Sequence, residues 1–275
     1  MRELKNKVVV ITGAASGIGR ALADRFAAEG SKIVLADIEP KALEEAAAEL
    51  RVGGATVLAV PTDVSRPEQV QGLCDRTVAE FGRVDVVCNN AGVAVSGLAW
   101  EHTLADWEWV LGVNLWGVIH GVHAFLPVFR RQGTAAHIVN TASIAGLLSG
   151  VAFIGPYSAT KVAVVSISET LVKEFAIAQL PIGVSVLCPS SVATRVMESE
   201  RSRPPALGVE HRTELAEADR LGIRDSFTGP TGLTPAHVAQ RVMDAIREDR
   251  FWIVTHPGER PQVEERFAAA LAAFP

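Results

Sequence analysis

A run of β-branched residues, a glycine-rich turn and an amphipathic segment follow one another directly near the start of this chain. That succession limits the fold more than any other feature. Lys7-Val8-Val9-Val10-Ile11 reads as a buried strand. Thr12-Gly13-Ala14-Ala15-Ser16-Gly17-Ile18-Gly19 follows at once. Arg20 to Glu29 then places Leu22, Ala23 and Phe26 at helical spacing and is closed by Gly30. Glycines let backbone approach a ligand closely, and a helix N-terminus offers free N–H groups and the positive end of its dipole. The geometry suits a pyrophosphate. The spacing is Gly-x-x-x-Gly-x-Gly, not Gly-x-Gly-x-x-Gly. Any tight strand-to-helix turn favours glycine, so the loop needs its context.

That context continues. Lys32 to Ala36 reads as a second strand and ends in Asp37. An acid at this point can accept hydrogen bonds from the adenosine ribose hydroxyls and would repel a 2′-phosphate. No basic residue stands at Ser16 or directly after Asp37, so NAD is expected over NADP. The other role open to Asp37 is capping a helix ahead of Pro40. Further strands are expected at Thr56 to Val60, Val84 to Cys88, His137 to Thr141, Ile182 to Leu187 and Phe251 to Thr255. Alternation of strands and helices predicts an α/β fold, a parallel sheet covered on both faces. Ser65-Arg66-Pro67-Glu68 and Thr103-Leu104-Ala105-Asp106 resemble capping boxes, and Thr234-Pro235 reads as N-cap and N1.

Tyr157 is the single tyrosine of the chain, and Lys161 is one of six lysines. Both fall in Gly155-Pro156-Tyr157-Ser158-Ala159-Thr160-Lys161, ahead of an apolar helical pattern. Residues four apart share a helix face, so an ammonium would lie beside a phenol. A free phenol is a poor base, with a pKa of about 10. A nearby cation favours the phenolate, which brings Tyr157 toward the range of general acid–base work.

Taken together, these residues resemble the short-chain dehydrogenase/reductase family, over nearly the whole chain. Thr12-Gly13-x3-Gly17-x-Gly19 is similar to its cofactor loop, and Asp63-Val64 to the pair near the adenine. Asn89-Asn90-Ala91-Gly92 is similar to its fourth-strand motif. Asn114, Ser143, Tyr157 and Lys161 match its catalytic tetrad. The resemblance implies a Rossmann-like, doubly wound, seven-stranded parallel sheet in a single domain spanning 1–275. It implies cofactor contacts from Gly13, Ser16, Gly17, Ile18, Gly19, Asp37, Asp63, Val64, Asn90, Ala91, Gly92, Tyr157, Lys161, Pro189, Val192 and Thr194. Tyr157 would be the general acid or base, and Lys161 would lower its pKa and hold the nicotinamide ribose. Ser143 would fix the substrate oxygen, and Asn114 would orient a water. One departure stands out: the family usually has Pro-Gly after the sixth strand, and here Ser190 follows Pro189.

The implied activity is hydride transfer between NAD(H) and a secondary alcohol or ketone. Ala94, Val95, Ser96, Ala145, Gly146, Val151 and Phe153 would line an apolar substrate pocket. Residues 195–233, rich in charge, Gly and Pro, lie where the family carries a substrate lid. Val263, Phe267, Leu271 and Phe274 form a helical apolar stripe in a tail at 260–275, which would dock on its own subunit or a neighbour. His120 and His123 have metal-compatible spacing but no third ligand, so they read as ordinary helix residues and no metal is expected. Trp100, Trp107, Trp109 and Trp116 suggest packing or a subunit contact, in a homodimer or homotetramer. A net charge of −5 gives no electrostatic case for nucleic acid or anionic membrane. The apolar stretches read as interrupted, so no membrane span is expected. Cys74, Cys88 and Cys188 lack metal spacing, and with no room for a signal peptide the expected compartment is cytoplasmic. Two other activities remain open: an NADPH-dependent carbonyl reductase, and a dinucleotide-binding regulator without turnover.

Overall fold

Val8 and Val10 face one side of a sheet and Val9 and Ile11 the other, and all four are buried. A strand buried on both faces needs helices above and below it. The computed structural model, which describes residues 1, 3–208, 214, 218, 222 and 232–275, supplies them. Its strands are β1 (Val8–Thr12), β2 (Lys32–Asp37), β3 (Val57–Pro61), β4 (Val86–Asn89), β5 (Ala136–Thr141), β6 (Ile182–Cys188) and β7 (Trp252–Val254). Among the described residues they form one parallel sheet in the order β3-β2-β1-β4-β5-β6-β7. The expected α/β, Rossmann-like, seven-stranded fold is therefore present.

One face is covered by α1 (Gly17–Ala28) and α2 (Pro40–Val52), joined late in the chain by α8 (Pro235–Glu248). Leu22, Phe26, Val242 and Met243 pack there against Val9, Ile11 and Leu35. The other face is covered by α3 (Pro67–Phe81), the helical run α4 (Leu104–Leu111) and α5 (Gly117–Gln132), and α7 (Gly155–Ile177). A short helix, α6 (Ile144–Leu148), follows β5. Strand order reverses between β1 and β4, so their carboxyl ends open a crevice, the usual ligand position in such sheets.

Local signals held unevenly. Thr103 and Asp106 complete the capping box, and Thr234 caps α8 ahead of Pro235. The box expected at Ser65 is not made. Pro67 starts α3 with Arg66 as N-cap, and the Ser65 hydroxyl donates instead to Asp63 Oδ1 at 2.7 Å. The apolar stretches that read as interrupted are joined through a π-helical turn, Gly112–Trp116, into one run over Leu104–Gln132. By length and composition alone that run could cross a membrane. Val118, Phe125 and Phe129 turn inward from this run and pack in the core, while Leu104 and Trp116 stay exposed. The tryptophans do not form one cluster: Trp109 is buried, Trp116 stacks on His120 at 5.7 Å, and Trp100 is exposed.

The tail is helical, as α9 (Arg260–Leu271), but its stripe does not dock on the described residues. Phe267, Leu271 and Phe274 are exposed. What fastens the helix is Arg266, whose Nη1 donates to the Leu147 carbonyl in α6 at 2.8 Å. Of the expected lid, residues 195–208, 214, 218, 222, 232 and 233 are described, and the rest of 195–233, Gly229 included, lies outside the described residues.

Candidate active site

The crevice begins where β1 turns into α1. Gly13 has φ +64, and a Cβ there would stand 2.8 Å from Ala91 Cα. Only glycine meets both demands. Gly17, at φ +57, faces Thr194, whose Cγ2 lies 3.2 Å from where a Cβ would be. Loops after β1, β4 and β6 thus converge. Ser16 is the N-cap of α1 and makes no side-chain cap bond, so its hydroxyl leaves the first-turn N–H groups free. That free N-terminus and the glycine cradle fit a diphosphate.

Asp37 is not a helix cap, since α2 starts at Pro40 behind Glu39. Its Oδ2 accepts from the Ala15 N–H at 3.0 Å and its Oδ1 from the Glu39 N–H at 3.1 Å. Burial pushes its pKa up, and those two backbone bonds oppose the shift. Carboxylate oxygens have further lone pairs, so two ribose hydroxyls remain possible partners. Asp63 is held by the Ser65 N–H and hydroxyl. The Val64 carbonyl lies 2.9 Å from His120 Nδ1, which occupies that ring nitrogen.

Asn90 braces the strand ends. Its Nδ2 donates to the Thr12 carbonyl at 3.0 Å, and its Oδ1 accepts from the Thr141 hydroxyl at 3.3 Å. Asn114 sits in the π-helical turn. Its Oδ1 accepts from the Val93 N–H at 2.8 Å, and its Nδ2 donates to the Val93 carbonyl and to Thr160 Oγ1. It therefore fixes the backbone after Gly92. π-helical turns are frequent at functional sites.

One cavity of about 430 Å³ runs past these groups, ample for a ligand. Gly13, Ser16, Gly17, Ile18, Asp37, Asp63, Val64, Asn90, Ala91 and Gly92 line one stretch, with Pro189, Val192 and Thr194 opposite. Ser143, Tyr157 and Lys161 line it further on. Two expected residues stand behind the wall. Gly19 packs α1 against the Gly13 carbonyl, and Asn114 acts through Val93. Of the expected substrate pocket, Ala94, Ala145 and Val151 line the cavity. Val95, Ser96, Gly146 and Phe153 do not. Val95 packs beside Trp109 and Val110, and Gly146 is pressed against the Lys161 backbone. Trp109, Leu148, Ile154 and Met197 take the vacant parts of the wall.

Tyr157 and Lys161 share one face of α7, with Nζ 5.3 Å from the ring centroid. Lys161 is buried, and its Nζ donates to the Thr141 carbonyl at 2.8 Å. Burial pulls this ammonium down to about 8. The lowering of the Tyr157 pKa expected from Lys161 is not what this geometry gives. Burial pushes the phenol up, and a hydrogen bond with Ser143 only partly opposes it. Ser143 caps α6, accepts from the Ala145 N–H, and donates to the Pro189 carbonyl at 3.3 Å. Burial also pushes the neighbouring Cys188 thiol up to about 12, so it stays protonated.

Three contacts were invisible to spacing. Arg201, in the segment after β6, reaches back to Glu39 beside Asp37, Nε to Oε1 at 3.0 Å. Arg203 pairs with Asp106 in a buried bridge and lies over Trp109. Ser190 Oγ donates to Glu259 Oε1 at 2.7 Å, which brings the start of the tail into the cavity wall.

Comparison with known proteins agrees with this geometry. A family profile described as short chain dehydrogenase matches residues 7–205. A short chain dehydrogenase/reductase from Burkholderia phymatum, solved in complex with NAD, superposes with TM-score 0.95 at 44% identity, covering 99% of this chain and 96% of that one. A "CLA biosynthesis dehydrogenase/reductase" of Lactiplantibacillus plantarum is 34% identical over 97% of this chain and 93% of its own length. A "C alpha-dehydrogenase" of a Sphingobium species is 32% identical over 98% and 87%.

Proposed function

The chain belongs to the short-chain dehydrogenase/reductase family, and from that premise we propose that it moves a hydride between NAD(H) and a hydrophobic secondary alcohol or its ketone. The observation that carries this reading is the meeting of Ser143, Tyr157 and Lys161 in a cavity that also holds Asp37. Gly13, Gly17, Ile18 and the start of α1 would hold the diphosphate. Asp37 would take the adenosine ribose, with Asp63 and Val64 beside the adenine. Ala91, Gly92, Val192 and Thr194 would flank the nicotinamide half. When bound, the dinucleotide supplies the hydride chemistry, and the protein positions and polarises.

Tyr157 gives a proton to the substrate oxygen in reduction and takes it back in oxidation. Ser143 donates a hydrogen bond to the same oxygen and sets its direction. Lys161 stabilises negative charge on the phenol as it forms, at 5.3 Å from the ring centroid. The largely apolar wall formed by Trp109, Leu148, Val151 and Ile154 favours a hydrophobic substrate. Relatives described as dehydrogenases support the reaction class.

A second reading, an NADPH-dependent carbonyl reductase, draws on Arg201 near the ribose end. Its pairing with Glu39 neutralises that charge, which favours NAD. We also propose a cytoplasmic homodimer or homotetramer, on the support of exposed apolar residues such as Trp116 and Phe267. A monomer by light scattering would overturn that part.

Replacing Tyr157 with Phe tests the catalytic assignment. Turnover should fall roughly 10²–10⁴-fold, the usual worth of a general acid–base group. NADH affinity should persist. Turnover retained in Tyr157→Phe would overturn the assignment.

A further inference from the structure

We propose that Glu259 is a specificity-determining residue, which selects substrates carrying a second hydrogen-bond donor, a hydroxyl or an ammonium, away from the reacting carbinol. The inference rests on the oxidoreductase reading above and extends it to the substrate class.

Glu259 reaches the cavity from a part of the chain that the rest of the site does not use. It ends the short 3₁₀ turn Pro257–Glu259 after β7, ahead of α9. Its position relative to the reacting centre follows from bonded neighbours. Ser190 Oγ donates to Glu259 Oε1, Pro189 precedes Ser190, and the Pro189 carbonyl accepts from the Ser143 hydroxyl. Ser143 in turn hydrogen-bonds Tyr157. The carboxylate therefore stands on the Ser143 side of the cavity, not at the Asp37 end.

The turn that carries it is bolted down. The Ser190 N–H donates to His256 Nδ1 at 3.3 Å, which makes Nδ1 the unprotonated nitrogen. His256 Nε2 then donates to the Ser191 carbonyl at 3.0 Å, and the Thr255 hydroxyl donates to Nδ1 at 2.7 Å. From the other side Arg266 holds α9 to the Leu147 carbonyl of α6, the helix that carries the wall residues Ala145 and Leu148. A carboxylate fixed at both flanks is preorganised to bind.

Its bonding capacity is mostly unused. Among the described residues the Ser190 hydroxyl is the one hydrogen-bond donor to the Glu259 side chain, and no cation pairs with it. A carboxylate can accept about four hydrogen bonds. The other ionic groups of the cavity are engaged or distant. Lys161 donates to Thr141, while Arg201 pairs with Glu39 and donates to the Arg195 carbonyl at the ribose end. Arg195 is exposed and follows Thr194, which faces Gly17 of the diphosphate loop. On this side of the cavity α6 contributes the apolar Ala145 and Leu148, and among the described residues Glu259 is the one carboxylate, so it is the strongest acceptor a substrate donor meets there.

Two readouts test this. Calorimetry on NAD-loaded Tyr157→Phe protein compares cyclohexanol, the cyclohexanediols and the aminocyclohexanols as ligands without turnover. Initial rates on the wild type compare kcat/KM for the same probes. At least one diol or amino alcohol should be favoured over cyclohexanol by roughly tenfold, the worth of one good charge-assisted hydrogen bond. Glu259→Gln should erase the preference for an amino alcohol and weaken that for a diol. The loss should appear in KM more than in kcat, with NADH affinity kept. Ser190→Gly should reduce the preference and Ser190→Thr should keep it. Glu264→Gln, on α9 just beyond Glu259 and outside the cavity, should keep it too. Equal binding of cyclohexanol and all donors, or a preference untouched by Glu259→Gln, would overturn the proposal. A calorimetric preference without wild-type oxidation of any probe would uphold the role of Glu259 and count against the proposed substrate class.

Discussion

The two ends of the cavity are built by opposite means. The end proposed for the dinucleotide is made of short consecutive stretches: the β1 turn Gly13 to Gly17, the β2 end at Asp37, and Asn90 to Gly92 after β4. Each lies at the end of its strand, so the sheet register carries it into place, and Asp37 and Asn90 brace it locally. The substrate end is assembled across long separations. Arg203 meets Asp106, Ser190 meets Glu259, and Arg266 meets Leu147. Backbone geometry dominates the first end and side-chain pairs the second. The first end is a property of the fold, while the second can differ between chains that share it.

That contrast can be broken in three ways. The largest effect is expected at Arg203. Its guanidinium and Asp106 are each only 6% exposed, so removing one partner leaves a charge buried. Breaking such a pair costs about 3–5 kcal/mol. Arg203→Leu should lose about that much in urea unfolding if residues 196–208 unfold with the core. A loss under about 1 kcal/mol, with faster hydrogen exchange confined to 196–208, would mean that this segment opens on its own. In that case the end beside Trp109 is set by a separately folding segment and not by the sheet.

Lys161 comes next. Its folded pKa is about 8, and burial is the main cause. The unfolded value is about 10.4. Between these limits the unfolded chain binds a proton that the folded protein releases, so this group makes stability rise with pH from about 8 to about 10.4. Below about 8 the cost of keeping the ammonium buried is present in full. Lys161→Met should abolish that rise, worth about 3 kcal/mol, in unfolding curves taken across the window. A variant that keeps the same slope would mean that the ammonium is not desolvated as described.

The smallest effect is expected in the tail. Phe267 is half exposed, so Phe267→Ser should change monomer stability by under about 0.5 kcal/mol. A larger loss that grows with protein concentration would point to a second copy covering this face.

The sequence was legible where structure is local. Glycines, strand ends and the Tyr157–Lys161 spacing are short-range signals, and the alternation of strands and helices was enough to read a parallel sheet covered on both faces, though the strand order itself came only with the structure. The Thr103 and Thr234 caps were read correctly for the same reason. Ser65 misled because Pro67 moved the cap to Arg66 and Asp63 captured the hydroxyl. The tail stripe was read as helical, which it is, but helical periodicity reports a shared face and not what that face meets, and Phe267 and Leu271 do not dock on the described residues of their own subunit. Val95 and Gly146 were placed in the pocket by chain proximity, but side-chain direction turned Val95 into the core and backbone packing closed over Gly146. Glu259 had no local signal at all. Ser190, in place of a glycine, was the one visible trace of it, since a hydroxyl added there needs a partner. Burial pushes the Tyr157 pKa up, against expectation, because desolvation of the phenol outweighs the one opposing influence, its hydrogen bond with Ser143.

The most direct test of the account is a parallel fluorescence titration of the purified protein with NADH and NADPH. Asp37, held by Ala15 and Glu39, should accept the ribose hydroxyls and repel a 2′-phosphate. NADH should bind at least about tenfold more tightly, a difference of about 1.4 kcal/mol. Equal or tighter binding of NADPH would contradict the reading of Asp37, and with it the NAD-dependent activity proposed for this protein.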